Sequence, residues 1–142
     1  MKEGDTQMYN TILMPVDFSH DEQTVESLKK AKNLVGDGGI ILLHVMEEIS
    51  AYILNQIPQD IDLMKTNHAR SSLEELAKQA GVEARIEVRK GTSYHGILEY
   101  ADDNEIDLII INSHRPGLQD YLLGSTAAKV VRHAKCAVLV ER

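Results

Sequence analysis

Apolar residues gather along the chain in four short runs, Ile12 to Val16, Ile40 to Val45, Leu108 to Ile111 and Ala137 to Val140. Each is mostly β-branched or Leu and does not alternate with polar residues, which is the pattern of a strand buried on both faces. Residues 84 to 90 differ. Ala84, Ile86 and Val88 alternate with Arg85, Glu87 and Arg89, so this strand has one solvated face and belongs at a sheet edge.

Between the strands the apolar spacing turns helical. Ser19 and Glu22 have the spacing of a capping box, and Val25, Leu28, Ala31, Leu34 and Val35 form an inward stripe that Gly36, Gly38 and Gly39 should stop. A second helix is predicted from about Asp60 to Ala80, with Leu63, Met64, Leu73, Leu76, Ala77 and Ala80 inward and Gly81 as its stop. Thr92 or Ser93 can cap a third, with Ile97, Leu98 and Ala101 inward. The fourth runs from Ser125 to His133 and should pack Ala127, Ala128 and Val131 on the sheet. The order reads βαβαβαβαβ. Parallel strands need right-handed crossovers that deposit helices on the faces, so the fold class is α/β, a doubly wound parallel sheet.

One stretch resists this pattern. Residues 47 to 59, EEISAYILNQIPQ, are long enough for a flap, yet Ile49, Tyr52, Ile53 and Leu54 are too apolar for a free loop. Either they form a short helix packed on the body, the commoner case, or they contact a partner.

Composition narrows the partners. With 142 residues and 43% apolar content, the chain suits one domain with one shared core. The balance of 15 basic against 22 acidic residues, with no Lys/Arg stripe, argues against nucleic acid and anionic membrane as partners. No apolar run approaches the roughly 18 residues of a membrane span. The single Cys136 cannot form an internal disulfide, and residues 1 to 10 lack the apolar stretch of a secretory signal, so a reducing, cytoplasmic location is expected.

In open α/β sheets ligands sit beyond the carboxyl ends of the strands, so the informative residues follow each strand. Here they are Pro15-Val16-Asp17, His44-Val45-Met46, Asn112-Ser113-His114-Arg115 and the turn Leu123-Gly124-Ser125-Thr126. That last turn opens a helix, whose unpaired N–H groups and neighbouring hydroxyls suit an anion; the plainer reading, favoured by spacing alone, is that Gly124 turns the chain and Ser125 caps it. Asp17 could bind a ribose hydroxyl or cap the following helix. His114 and Arg115 offer donors to the same crevice, or form a solvated loop with Pro116 and Gly117.

Other chemistries lack their parts. There is no Gly-x4-Gly-Lys-Ser/Thr, no Gly-x-Ser-x-Gly, and the glycines at 36 to 39 precede a strand where a dinucleotide fingerprint precedes a helix. His133 and Cys136 are spaced like two metal ligands but have no second pair, so no structural metal is expected.

The segments TILMPVDFS, IILLHV and KGTSYHGILEYADDNEIDLIIINSHRPGLQDYLLGSTAAKVVRHAKCAVLVER, in that order, resemble the universal stress protein family from Met8 to Arg142, leaving residues 1 to 7 as a short polar tail. The SHRP and YLLGS pieces are similar to that family's F and G subgroup of enteric bacteria. The resemblance implies a Rossmann-like five-stranded parallel sheet in order 3-2-1-4-5 and a homodimer through the last strand, Ala137 to Val140. It also implies ATP, with or without Mg, as ligand. Pro15, Val16, Asp17 and Val45 would hold adenine and ribose, Gly124, Ser125 and Thr126 the phosphates, and Asn112, Ser113, His114 and Arg115 would complete the set.

The family's ATP-binding members carry Gly-x2-Gly-x9-Gly-Ser/Thr. This chain has Asn112 and Arg115 where the first two glycines stand, and its loop to Gly124 is one residue shorter. An Arg in place of a glycine replaces backbone donors with a charged one. The implied function is an adenine-nucleotide-binding stress-response or signalling module in the cytoplasm, with at most slow ATP hydrolysis or self-modification and a protein partner of unknown identity. The rival is a nucleotide-free protein-interaction module of the same fold. A dedicated phosphotransfer enzyme would need a general base and a carboxylate metal site that the sequence does not offer.

Overall fold

A computed structural model describes residues 9–48, 50–113 and 123–142. The 1 to 7 tail, Ile49, and His114 and Arg115 of the expected site lie outside the described residues. The elements are β1 (Tyr9–Pro15), α1 (Asp21–Leu34), β2 (Val35–Met46), α2 (Ala51–Leu54), α3 (Gln59–Ala80), β3 (Ala84–Lys90), α4 (Ser93–Asp103), β4 (Leu108–Asn112), α5 (Ser125–His133) and β5 (Ala137–Glu141). Five parallel strands pair in the order β3-β2-β1-β4-β5, which is the expected 3-2-1-4-5 sheet with its alternating strand at one edge.

The continuous apolar runs of β1, β2 and β4 follow from burial on both faces, whereas the run in β5, expected to be buried likewise, lies at the sheet edge with Ala137 and Leu139 exposed. Ile12, Met14, Ile40 and Leu42 pack with Leu28 of α1 and Leu73 and Leu76 of α3. Their neighbours Leu13, Ile41, Leu43 and Ile109 pack on the other face with Ile97 of α4 and Val130 of α5. Ten large side chains are wholly buried, each contributing about 1.5–3 kcal/mol, whereas the ion pairs found among the described residues are exposed or half-exposed and contribute at most about 1 kcal/mol apiece. Apolar packing therefore holds the fold. Asp107 registers the sheet's lower end, its carboxylate accepting the amides of Asn10 (2.8 Å) and Thr11 (2.9 Å).

The structure corrects several local expectations. The Ser19–Glu22 capping box does not form. Phe18 takes a left-handed φ of 65°, which lets Asp17 Oδ1 accept the Ser19 amide at 2.9 Å, and α1 starts two residues later behind His20. Val35 is already extended, and the glycines at 36, 38 and 39 lie inside β2 rather than beyond the helix end. They sit where the β1–β2 register shifts, and a Cβ on Gly38 would stand 1.9 Å from Thr11 Oγ1.

Leu63 and Met64 are 60% and 66% exposed, because the first turns of α3 turn Asp62 and Thr66 inward and close burial begins only at Ala69 and Leu73. In α5 the inward positions are Ala127 and Val130; Ala128 and Val131, one residue or 100° further round, face solvent. The 47 to 59 stretch does contain a short helix, α2, but Tyr52 and Ile53 point away from the body.

A close approach fixes α4. A Cβ at Gly96 would stand 2.8 Å from Val45 Cγ2, so the helix rests directly on the carboxyl end of β2. Val is stiff at χ1 and cannot yield easily, so overpacking should cost about 1–3 kcal/mol, against about 1 kcal/mol gained in helix propensity. Gly96→Ala is expected to lower stability in urea unfolding by about 1 kcal/mol, and to raise it when made in a Val45→Ala background.

Candidate nucleotide crevice

Parallel strands bring their carboxyl ends to one edge. Between β1 and β4 the crossovers leave for opposite faces, and a crevice opens there of about 510 Å³, within the range of small-molecule sites. Pro15, Val16 and Asp17 line it at and after the end of β1, Val45 from β2, Asn112 and Ser113 at and after the end of β4, and Gly124, Ser125 and Thr126 from the start of α5. All the described residues of the expected set thus meet in one place.

Ser113 joins the parts. Its amide donates to the Glu141 carbonyl at 2.8 Å, while its hydroxyl, in a residue only 7% exposed, accepts the Gly124 amide at 2.8 Å. The start of α5 is thereby tied to the ends of β4 and β5. Asn112 has a different use, since its Oδ1 accepts the Ser27 hydroxyl at 3.0 Å and braces the strand against α1.

Gly124 occupies the capping position of α5 with φ −60° and ψ 156°, conformations open to any residue, so its value is its size. Ser125 is the first helical residue and not the cap, and among the described residues the cap position, Gly124, supplies no side-chain hydrogen bond. The first turn of α5 lines the crevice end, where helical N–H groups without intrahelical partners and the dipole favour negative charge. Neither α4 nor α5 carries an acid in its first turn, whereas α1 carries Asp21 and Glu22. An anion in this crevice is therefore drawn toward α4 and α5. Among the described residues no Lys or Arg lines it.

At the other end Val45, Pro15 and Val16 form an apolar wall. Asp17 is exposed, and with Oδ1 taken by the Ser19 amide its second oxygen remains available to a hydroxyl. His44, which belongs to the end of β2 rather than following it and is not in the expected site, also lines the crevice. Its Nδ1 lies 2.6 Å from the Val16 carbonyl, which can only accept, so Nδ1 carries the proton and Nε2 is left an acceptor. Phe18 packs on the ring with centroids 4.6 Å apart. Ser93 and Ile97 of α4 were missed as well; the rule that ligands follow strands points to Ser93, three residues after β3, while Ile97 reads in sequence only as core.

The remaining candidates lie elsewhere. His133 is exposed at the end of α5, and Cys136 is partly buried beside the α4/α5 core, where desolvation pushes its thiol above the usual range and away from the reactive thiolate. Among the described residues no three His, Cys, Asp or Glu side chains are placed to hold a metal ion.

Residues 8–142 match the profile of the universal stress protein family. The chain is 32% identical over 142 residues to universal stress protein G of Escherichia coli O157:H7, covering 95% of this chain and all of that one. The solved universal stress protein UspA from Lactobacillus plantarum superposes with a TM-score of 0.74 at 26% identity, covering 94% of this chain and 98% of the other. The universal stress protein from Archaeoglobus fulgidus, solved in complex with dAMP, superposes at 0.64 over 94% and 98%, and at 17% identity it shares the fold.

Ser113→Ala removes the acceptor of the Gly124 amide. The expected loss is about 1–3 kcal/mol in urea unfolding, with amide exchange at Gly124 accelerated beyond that of β1. Unchanged exchange at Gly124 would mean that Ser113 does not hold the start of α5.

Proposed function

The chain belongs to the universal stress protein family, and from that premise we propose that it binds ATP in the crevice and acts as a homodimeric, nucleotide-dependent stress-response or signalling module of the cytoplasm. One observation carries the reading: a single crevice joins an apolar wall at Val45, Pro15 and Val16 to an uncapped helix start at Gly124, Ser125 and Thr126. The first suits a purine base, and the second suits phosphate oxygens. Asp17 then takes a ribose hydroxyl, and Arg115, which lies outside the described residues, supplies a charged donor in place of the second glycine of the family motif. The dAMP held by the Archaeoglobus neighbour supports the ligand class.

The donor set fits a bound nucleotide better than a turned-over one. The groups at the α5 end are amides and hydroxyls, which bind phosphate but do not abstract a proton at neutral pH. Asp17 is the only carboxylate lining the crevice among the described residues, so Mg would be carried mainly by the phosphates and water rather than by a protein cage. Hydrolysis or self-modification is accordingly slow.

The dimer follows from an open edge. Glu141 turns its carbonyl toward Ser113, so by the two-residue alternation of a strand Val138 and Val140 turn their backbone groups to the free side of β5. Their side chains pack inward, while Leu139 is 38% exposed. Antiparallel pairing with a second copy satisfies that edge and closes by two-fold symmetry.

Titration calorimetry should show micromolar ATP, about −8 kcal/mol, in preference to GTP. Arg115→Ala is expected to weaken ATP about ten- to a hundred-fold and adenosine little, with Gly124→Val weakening ATP more because the branched side chain fills the phosphate space. No binding at millimolar ATP would favour the nucleotide-free interaction module.

Val140→Pro removes an outward N–H without touching the β4–β5 ladder, and should give monomers by light scattering. A persisting dimer would place the interface elsewhere.

A further inference from the structure

Seven large apolar side chains are exposed among the described residues, and five of them fall in one stretch: Tyr52, Ile53, Ile61, Leu63 and Met64. At 100° per residue, Ile61, Leu63 and Met64 all lie on the half of α3 opposite Asp62, Thr66, Ala69 and Leu73, the residues turned toward the body. Tyr52, 76% exposed, and Ile53 are exposed as well, on α2, which ends four residues before α3 begins. The nucleotide does not use these side chains. They stand outside the crevice, which neither α2 nor α3 lines.

Charge selects the occupant. Between residues 47 and 65 four carboxylates, Glu47, Glu48, Asp60 and Asp62, stand against one lysine, Lys65. Asp62 is paired with Lys90, but Glu47, Glu48 and Asp60 are exposed. A second copy would bring the same carboxylates against their own kind, on a chain whose net charge is already −7. An anionic membrane surface would be repelled likewise. A segment that sets an apolar face against Tyr52, Leu63 and Met64 and Lys or Arg beside Glu47, Glu48 and Asp60 meets both requirements.

We propose that the α2–α3 end is a docking surface for a basic amphipathic helix of a partner protein. Met64 and Tyr52 are suited to it, the first because its unbranched chain adapts to the apposed surface, the second because it offers a large apolar body at little entropic cost.

The test uses a synthetic amphipathic helix with Leu on one face and Lys on the other, and a control with Glu for Lys. Fluorescence anisotropy should show the Lys peptide binding at least about ten-fold more tightly than the Glu peptide, with amide shifts in the protein confined to residues 47 to 69. Leu63→Ser/Met64→Ser should weaken the Lys peptide at least about ten-fold without altering the melting temperature or ATP affinity, and Glu47→Lys/Glu48→Lys should reverse the preference between peptides without altering the melting temperature. Equal binding of both peptides, amide shifts mapping to the crevice, or binding indifferent to both double substitutions would overturn the proposal. So would a wild-type self-association that the serine variant abolishes, or binding to vesicles of anionic lipid.

Discussion

The reversal of strand order between β1 and β4 governs this molecule. Right-handed crossovers put α1 and α3 on one face and α4 and α5 on the other, and the two sets part where the chain changes direction. Among the described residues, side chains of both faces line the gap at the carboxyl ends of β1 and β4, and a crevice is left between them. The start of α5 is delivered to the opening by the short β4 and anchored there by Ser113. The floor at Val16, Val45 and Ile111 is the top of the same apolar packing that stabilises the sheet. Site and core are therefore one construction.

Much of this was legible in the residues. Strands buried on both faces announce themselves by unbroken apolar runs, and one alternating strand marks an edge, so class and element order follow from periodicity. The order 3-2-1-4-5 and the roles of Pro15, Asp17, Val45 and Gly124 came from the family resemblance. What periodicity could not supply was phase and reach. Ala128 and Val131 form as good a stripe as Ala127 and Val130; only the sheet decides which faces it. Leu63 and Met64 lie in phase with no core because α3 begins before its buried contacts do. The glycines at 36, 38 and 39 read as a helix stop because the close approach of Gly38 to Asn10 and Thr11 is a contact across strands. The place of His44 is not legible in sequence because its partner, the Val16 carbonyl, lies 28 residues away, just after β1.

For an acidic protein to take up an anion, as proposed, it needs local relief from its own charge. Among the described residues the crevice finds this without Lys or Arg, through amide dipoles at α4 and α5 whose first turns are kept free of carboxylates. The acids are instead placed on α1 and around α2 and the start of α3. The acid-free helix starts at the crevice and the acidic stretch from Glu47 to Asp62 are thereby kept apart along the chain.

The most direct test of the central claim is a backbone-amide NMR titration of the wild-type protein with ATP and, separately, with adenosine. ATP should shift the amides of Gly124, Ser125, Thr126 and Ala127 together with those of Asp17 and Val45. Adenosine should shift only the latter pair. Shifts by ATP that spare Gly124 to Ala127, or that gather outside the crevice, would contradict the assignment of the α5 start as the phosphate end of the site.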